Sequence, residues 1–315
     1  MSAAAGAPAA GGWRWRPLLG VLCSLAFLLP LWLWIDWRAA FATLGELDVR
    51  RLAAPLLVTL ATVPLRPWRW QAIFPSAARP PFAACFSALT VGVMVNNLVP
   101  GRGGDLARAV LIAPRGAPAR AGFALGTIAV EKLLDAVALF AVLAAAWPLL
   151  APPAWLSALL LGAGLAVALA ALLLVGLRRR GVPGVGWLGE RIAGVVEQFA
   201  GGLTAIDTPR RWLGLAALTV AVWAAEAIEV WLLAAALGVP LSLGAALVVT
   251  AVIGLGMMIP AGPSSIGTYE FFAVGGMLLF GVAAPQALAL TLLLHAWSIV
   301  ATTAAGLAGM TSLRR

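Results

Sequence analysis

Apolar runs at about 17–35, 52–74, 122–147, 154–177, 212–237 and 285–309 leave this chain few ways to fold. Most reach the roughly 20 residues that a helix needs to cross a bilayer. The stretch 178–211 is short and amphipathic, so no soluble domain fits between them. Only 10% of the residues are charged and 63% are hydrophobic, whereas a soluble domain carries about 25% charged residues. The chain therefore reads as an all-α polytopic membrane protein, with a single transmembrane domain over 1–315. The first run follows Arg14 and Arg16 and ends in LWLWIDWR, with no small-residue cleavage site. It reads as an anchor, not a cleaved signal.

The formal net charge of +9 does not require nucleic acid, because basic residues collect in the cytoplasmic loops of membrane proteins. No nucleic-acid partner is expected. Cys23 and Cys85 lie in apolar runs and form no CxxC, so they read as small core residues. With a single His and no clustered Cys, neither a metal nor a cofactor is expected. Trp13, Trp15, Trp34, Trp37, Trp68, Trp70, Trp147, Trp155 and Trp212 fall near span ends, the pattern of an interfacial aromatic belt.

Two units break the span pattern. Residues 82–98 run into NNLVPGRGGDLARAVLI, with a short helix over 103–113; residues 243–258 run into IPAGPSSIG, with a short helix over 267–281. A half of about 15 residues reaches only ~22 Å along its axis. The second full run, 52–74, is weakened by Pro55, Pro64 and Pro67.

Charge placement bears on the topology. With Arg14 and Arg16 in the cytoplasm, a full crossing by 82–113 would send Arg178, Arg179, Arg180, Arg210 and Arg211 outside. A unit that dips in and returns keeps them inside, as the positive-inside rule prefers. The expectation is about six full spans plus two opposed re-entrant helical hairpins, at about 82–113 and 243–281. Both termini are then cytoplasmic. Irregular backbone survives at membrane depth only when buried in protein or lining a watery cavity, and opposed half-helices around a midplane site recur in transporters. Residues 186–203 form an amphipathic helix that lies on the interface or serves as a plain connector.

Ionisable side chains inside a span cost at least ~2.5 kcal/mol each, so they mark function by default. In the first break, Gly104 and its neighbours allow close backbone approach. The following helix points free N–H groups inward, which favours an anion. Arg102 and Arg108 suit a phosphate, with Asn97 beside them, while Asp105 orients an Arg or caps the helix. The same residues also make sense as an internal Arg–Asp clamp.

In EKLLD, Glu131 and Asp135 share one helix face and Lys132 reaches Asp135 at i+3. This is either a structural ion-pair network or a relay. In the second break, Ser264 and Gly267 precede Glu270, which forms either a second anion cradle or a capping box. Glu226 and Glu229 lie deep in 212–237, placed to neutralise arginines of the first hairpin or to carry protons. His295 is either a packing residue or a relay.

NLVPGRGGDLARA, EKLLD and IPAGPSSIGTYE, in that order, resemble the bacterial and archaeal flippase-like family. That family shares its fold with the transmembrane half of lysylphosphatidylglycerol synthase. RPWRW resembles the family's Arg-x-x-Arg-Trp element, and the likeness covers roughly 15–310. The chain departs from the family pattern at Asp105, usually Glu, and at Ser264, often Gly. The resemblance implies movement of an anionic phospholipid or a polyprenyl-phosphate-linked lipid across a bacterial inner membrane. With no aminoacyl-transferring domain expected after Arg315, the lipid-aminoacylating chemistry is expected to be absent. The alternatives are a non-transporting partner of a glycosyltransferase and a membrane-embedded lipid-phosphate enzyme. The latter lacks a DDxxD-like cluster or a zinc pair, so the expectation is that the chain is not an enzyme.

Overall fold

A computed structural model describes residues 15–99, 103–113, 118–150, 154–180, 190–206, 208–259 and 261–313. These residues are helical, with no strand among them. The helices are α1 (Trp15–Trp34), α2 (Trp37–Gly45), α3 (Ala53–Ile73), α4 (Phe82–Leu98), α5 (Gly103–Ile112), α6 (Pro118–Ala146), α7 (Ala154–Arg180), α8 (Glu190–Leu203), α9 (Pro209–Ala236), α10 (Leu243–Gly256), α11 (Thr268–Leu278) and α12 (Ala284–Leu313).

The expectation of about six full spans is met only in part. Among the described residues, Pro209–Ala236 and Ala284–Ser312 are long and apolar enough to cross a membrane. Gly20–Trp34 and Trp37–Gly45 qualify only as a pair, bent by 86°. Every 18-residue stretch of α6 contains Glu131, Lys132 and Asp135, which takes that helix out of the apolar class.

The prolines expected to weaken the second run do not break it. α3 continues through Pro64 and Pro67. Its last turn is held from outside, since Arg211 of α9 donates to the carbonyls of Phe74 at 2.8 Å and Ala72 at 3.2 Å. A guanidinium thus caps carbonyls that the helix end leaves open. The 37–45 segment, outside the apolar runs read from sequence, forms α2, N-capped by Asp36, whose carboxylate accepts from Ala39 N–H. The amphipathic helix begins at Glu190, and 186–189 lie outside the described residues.

α4 and α5 fold back on each other. Asn96 Oδ1 accepts from Gly104 N–H at 2.8 Å, and farther down Gly92 faces Arg108. A Cβ on Gly104 would meet Asn96 Oδ1 at 2.7 Å, so only glycine allows this approach. α10 and α11 form a second antiparallel pair, with Gly256 against Phe272 and Gly276 against Val249 and Val252. α12 runs antiparallel to α4: Ser87 bonds Ser312 at one end, and Asn97 donates to Thr302 at 2.8 Å at the other.

Apolar cores fill the spaces between helices. One gathers Leu233, Val249, Met277, Leu288 and Leu290; a second gathers Trp70, Ile73, Cys85, Ile206 and Leu215. Leu161, Leu165, Leu169 and Leu172 form an exposed stripe on α7, and Leu22, Leu25, Leu29 and Leu33 form another on α1. Exposed apolar faces of this kind suit a lipid surrounding. Trp34 (81% exposed), Trp32 and Trp68 belong to that outer surface. Trp70 does not. Expected in the aromatic belt, it is fully buried and donates to Thr127 at 3.1 Å.

Candidate functional site

The charged residues of the helices collect at three neighbouring places. The first is a buried network where α3, α5, α6 and α9 converge. Arg69 of α3 clasps Asp135 of α6 with both guanidinium nitrogens, at 2.5 and 3.2 Å. It also lies 3.5 Å from Glu131. Arg108 of α5 donates to Glu131 at 3.1 Å, lies 3.4 Å from Asp105 and sits 5.1 Å over the Trp70 ring. Trp223 of α9 donates to Asp135 at 2.9 Å. Arg69, Arg108, Glu131 and Asp135 are all buried. Charges withdrawn from water persist only when paired and hydrogen-bonded, and the fork of Arg suits this bidentate geometry.

Helix spacing builds the network. Glu131 and Asp135 stand one turn apart on α6 and face α3 and α5 together. The pairing is nevertheless incomplete: Arg108 Nη2 is buried without a hydrogen-bond partner among the described residues. Buried donors are normally satisfied, so this atom can still bind an acceptor.

The second place is a cavity of about 80 Å³ between α3, α4, α9 and α12. It is smaller than the ~300–1,000 Å³ of ordinary ligand pockets. Thr59, Thr62, Arg66, Thr90, Glu226 and Glu229 are among its walls. Arg66 pairs with Glu226, and Glu229 bonds the Thr59 hydroxyl. Trp297 of α12 also donates to that hydroxyl, at 2.9 Å. Glu226 is thus balanced by an arginine of α3, not by Arg108 of the first hairpin.

At the third place the two breaks touch. The Ser264 hydroxyl donates to the Asn97 carbonyl at 3.1 Å. Ser264 and Ser265 have φ of 52° and 59°, and Gly267 has φ of 93°. Positive φ is uncommon for residues other than glycine and marks a backbone held by its surroundings. Ser24 of α1 accepts from Gly262 N–H at 2.9 Å, and Glu270 accepts from Gly267 N–H at 2.5 Å. The latter is the acidic half of a capping box, with glycine at the cap position. His295 of α12 reaches Glu270 and the Ser264 carbonyl.

The residues singled out from sequence are therefore distributed as follows. Arg108, Asp105, Glu131 and Asp135 meet in the network; Glu226 and Glu229 line the cavity; Asn97, Ser264, Gly267 and Glu270 meet at the touching breaks. Gly104 packs α5 on α4, and Lys132 is partly buried on α6. Arg102 lies outside the described residues, with Pro100 and Gly101. Arg66 and Arg69 were missed as site residues. Their signal was the RPWRW element, which places two arginines inside the run expected over 52–74, where α3 carries them to the carboxylates of α9 and α6.

An all-helical membrane protein with a buried arginine–carboxylate network and two interrupted helical hairpins is the class that fold and site define. The chain belongs to the family described as the lysylphosphatidylglycerol synthase TM region, whose model matches residues 17–306. It is similar to a curated protein of Haloferax volcanii named Glycosyltransferase AglD, at 27% identity over 337 residues. That match covers 93% of this chain and 54% of the relative, so the chain spans about half the relative's length. No solved structure matches. The expectation that the chain is not an enzyme is corrected by this relative, which bears the name of a glycosyltransferase.

Proposed function

We propose that the chain binds the phosphate of an anionic phospholipid or polyprenyl-phosphate-linked lipid where the two breaks meet, and moves that lipid between leaflets. α4–α5 and α10–α11 are then re-entrant hairpins that enter from opposite faces, with about six further crossings. The setting is a bacterial inner membrane, with both termini cytoplasmic. The observation that carries this reading is the hydrogen bond from Ser264 to Asn97, which joins the tips of the two hairpins. Beside it, α5 begins at Gly103 with its N–H groups directed at the break, a setting that favours an anion. The unsatisfied Nη2 of Arg108 offers a further donor to a phosphate. Arg102, within the first break by sequence, supplies a further guanidinium in this reading, while Glu131, Asp135, Glu226, Glu229 and Glu270 balance charge or couple protons.

Reconstitution tests this reading. In proteoliposomes carrying a fluorescent polyprenyl-phosphate or anionic phospholipid, Arg102→Ala abolishes movement between leaflets while the protein still inserts. Unchanged movement would remove Arg102 from the site.

The name of the relative favours a second reading. Here the same helices hold a polyprenyl-phosphate lipid for glycosyl transfer, catalysed by this chain or by a partner. Labelled polyprenyl-phosphate sugar incubated with the purified protein separates these cases, since product formed without a partner assigns the chemistry to this chain.

A further inference from the structure

The single histidine of the chain links the second break to α11. His295 and Glu270 are 7% and 6% exposed. His295 Nδ1 lies 2.5 Å from Glu270 Oε1, and Nε2 lies 2.9 Å from the Ser264 carbonyl oxygen. The other Glu270 oxygen accepts from Gly267 N–H. A carbonyl only accepts, so Nε2 must carry a hydrogen. An ionised carboxylate also only accepts, so Nδ1 must then carry a hydrogen as well. A neutral imidazole has one hydrogen, not two. Both contacts therefore survive only while the pair holds an additional proton, as imidazolium–carboxylate or as imidazole accepting from a protonated Glu270. Once that proton leaves, one contact places two lone pairs face to face and fails. The bond to the charged carboxylate is the stronger kind, so the Ser264 contact is the one released.

We propose that His295 and Glu270 form a proton-binding site whose occupancy fastens the second break against the tip of the first hairpin. Ser264 is the mechanical link: its carbonyl is held by His295 and its hydroxyl by Asn97. Its φ of 52° is one that a serine keeps only under restraint. Release of the carbonyl lets the residue leave that conformation and part from Asn97.

Other groups surround the pair. The Tyr269 ring stacks on His295, centroids 4.3 Å apart. On α9, Glu226 pairs with Arg66 of α3, and Glu229 accepts from the Thr59 hydroxyl. α10, packed against α11, has no titratable side chain. The inference rests on the proposed function only for what the tip contact controls.

One histidine means one imidazole signal in the full chain, labelled with ¹⁵N-histidine and placed in lipid nanodiscs. At low pH the expected signal is Nε2–H with Nδ1 either protonated or accepting a strong hydrogen bond, and the 261–267 amides are protected from exchange. As the pH is raised, the imidazole converts to the Nδ1–H tautomer. At the same pH, the protection factors of the 261–267 amides, which discount the base-catalysed rise in intrinsic exchange, fall about tenfold as the segment opens locally, while those of α6 do not. His295→Gln and His295→Asn remove the step. The proposal is overturned if the imidazole converts without a change in the protection of 261–267, if the step persists in both variants, or if neither signal changes across the pH range. No lipid substrate enters this measurement, so its failure is distinct from a failure of the transport assay.

Discussion

Arg69 shows how a single side chain joins distant parts of the sequence. It is 4% exposed at its side chain and lies between Asp135 and Glu131. Removing one partner of a buried pair leaves the other charge uncompensated, at a cost of about 3–5 kcal/mol. Arg69→Ala is therefore expected to lower the unfolding midpoint of the detergent-solubilised protein steeply. Adding Asp135→Ala should recover part of the loss, because it removes the stranded charge. Strictly additive effects in that double variant would show that the two residues act independently. The acids of this network were legible from sequence, since Glu131 and Asp135 fall within an apolar run and charges there require partners. The partner was not. Arg69 follows Pro64 and Pro67 in a run that those prolines weaken, and local chemistry does not say which way its side chain turns. Only packing against α6 and α9 shows the guanidinium turned inward.

The helices themselves were largely written in local chemistry. The runs expected over 82–98 and 103–113 became α4 (Phe82–Leu98) and α5 (Gly103–Ile112), on either side of the Pro- and Gly-rich stretch read from sequence as a break. Their pairing depends on a different property, the absence of a side chain at Gly104. Gly104→Leu inserts bulk where a Cβ alone already meets Asn96. This change is expected to push α5 away from α4 and draw Arg108 off Glu131. Amide exchange should then rise across α5, with α7 unchanged; equal protection in variant and parent would show that the close approach is dispensable. α2 escaped the sequence reading, because Asp36 and Arg38 resemble loop residues until Asp36 is seen capping a helix.

At the scale of the molecule, the proposed re-entrant arrangement makes a topological prediction. Cysteines placed at Ala78 and Ala113, which flank the first hairpin, should react with an impermeant thiol reagent from one face of the membrane. Cysteines at Leu243 and Ala283, which flank the second, should react from the opposite face. Labelling of 78 and 113 from different faces would make the first hairpin a true crossing and reverse every later loop. The sequence by itself determined the helical class, the membrane setting and the positions of the two breaks. These follow from hydropathy, from the missing N–H of proline and from the cost of charge in hydrocarbon, all properties of neighbouring residues. Tertiary structure alone decided that Arg66 and Arg69 face the acids of α9 and α6, that Ser264 reaches Asn97, and that His295 bridges Glu270 to the second break. Each is a contact between segments far apart in the chain. Its partner is chosen by which helix faces lie within hydrogen-bonding distance, and residue order does not encode that locally.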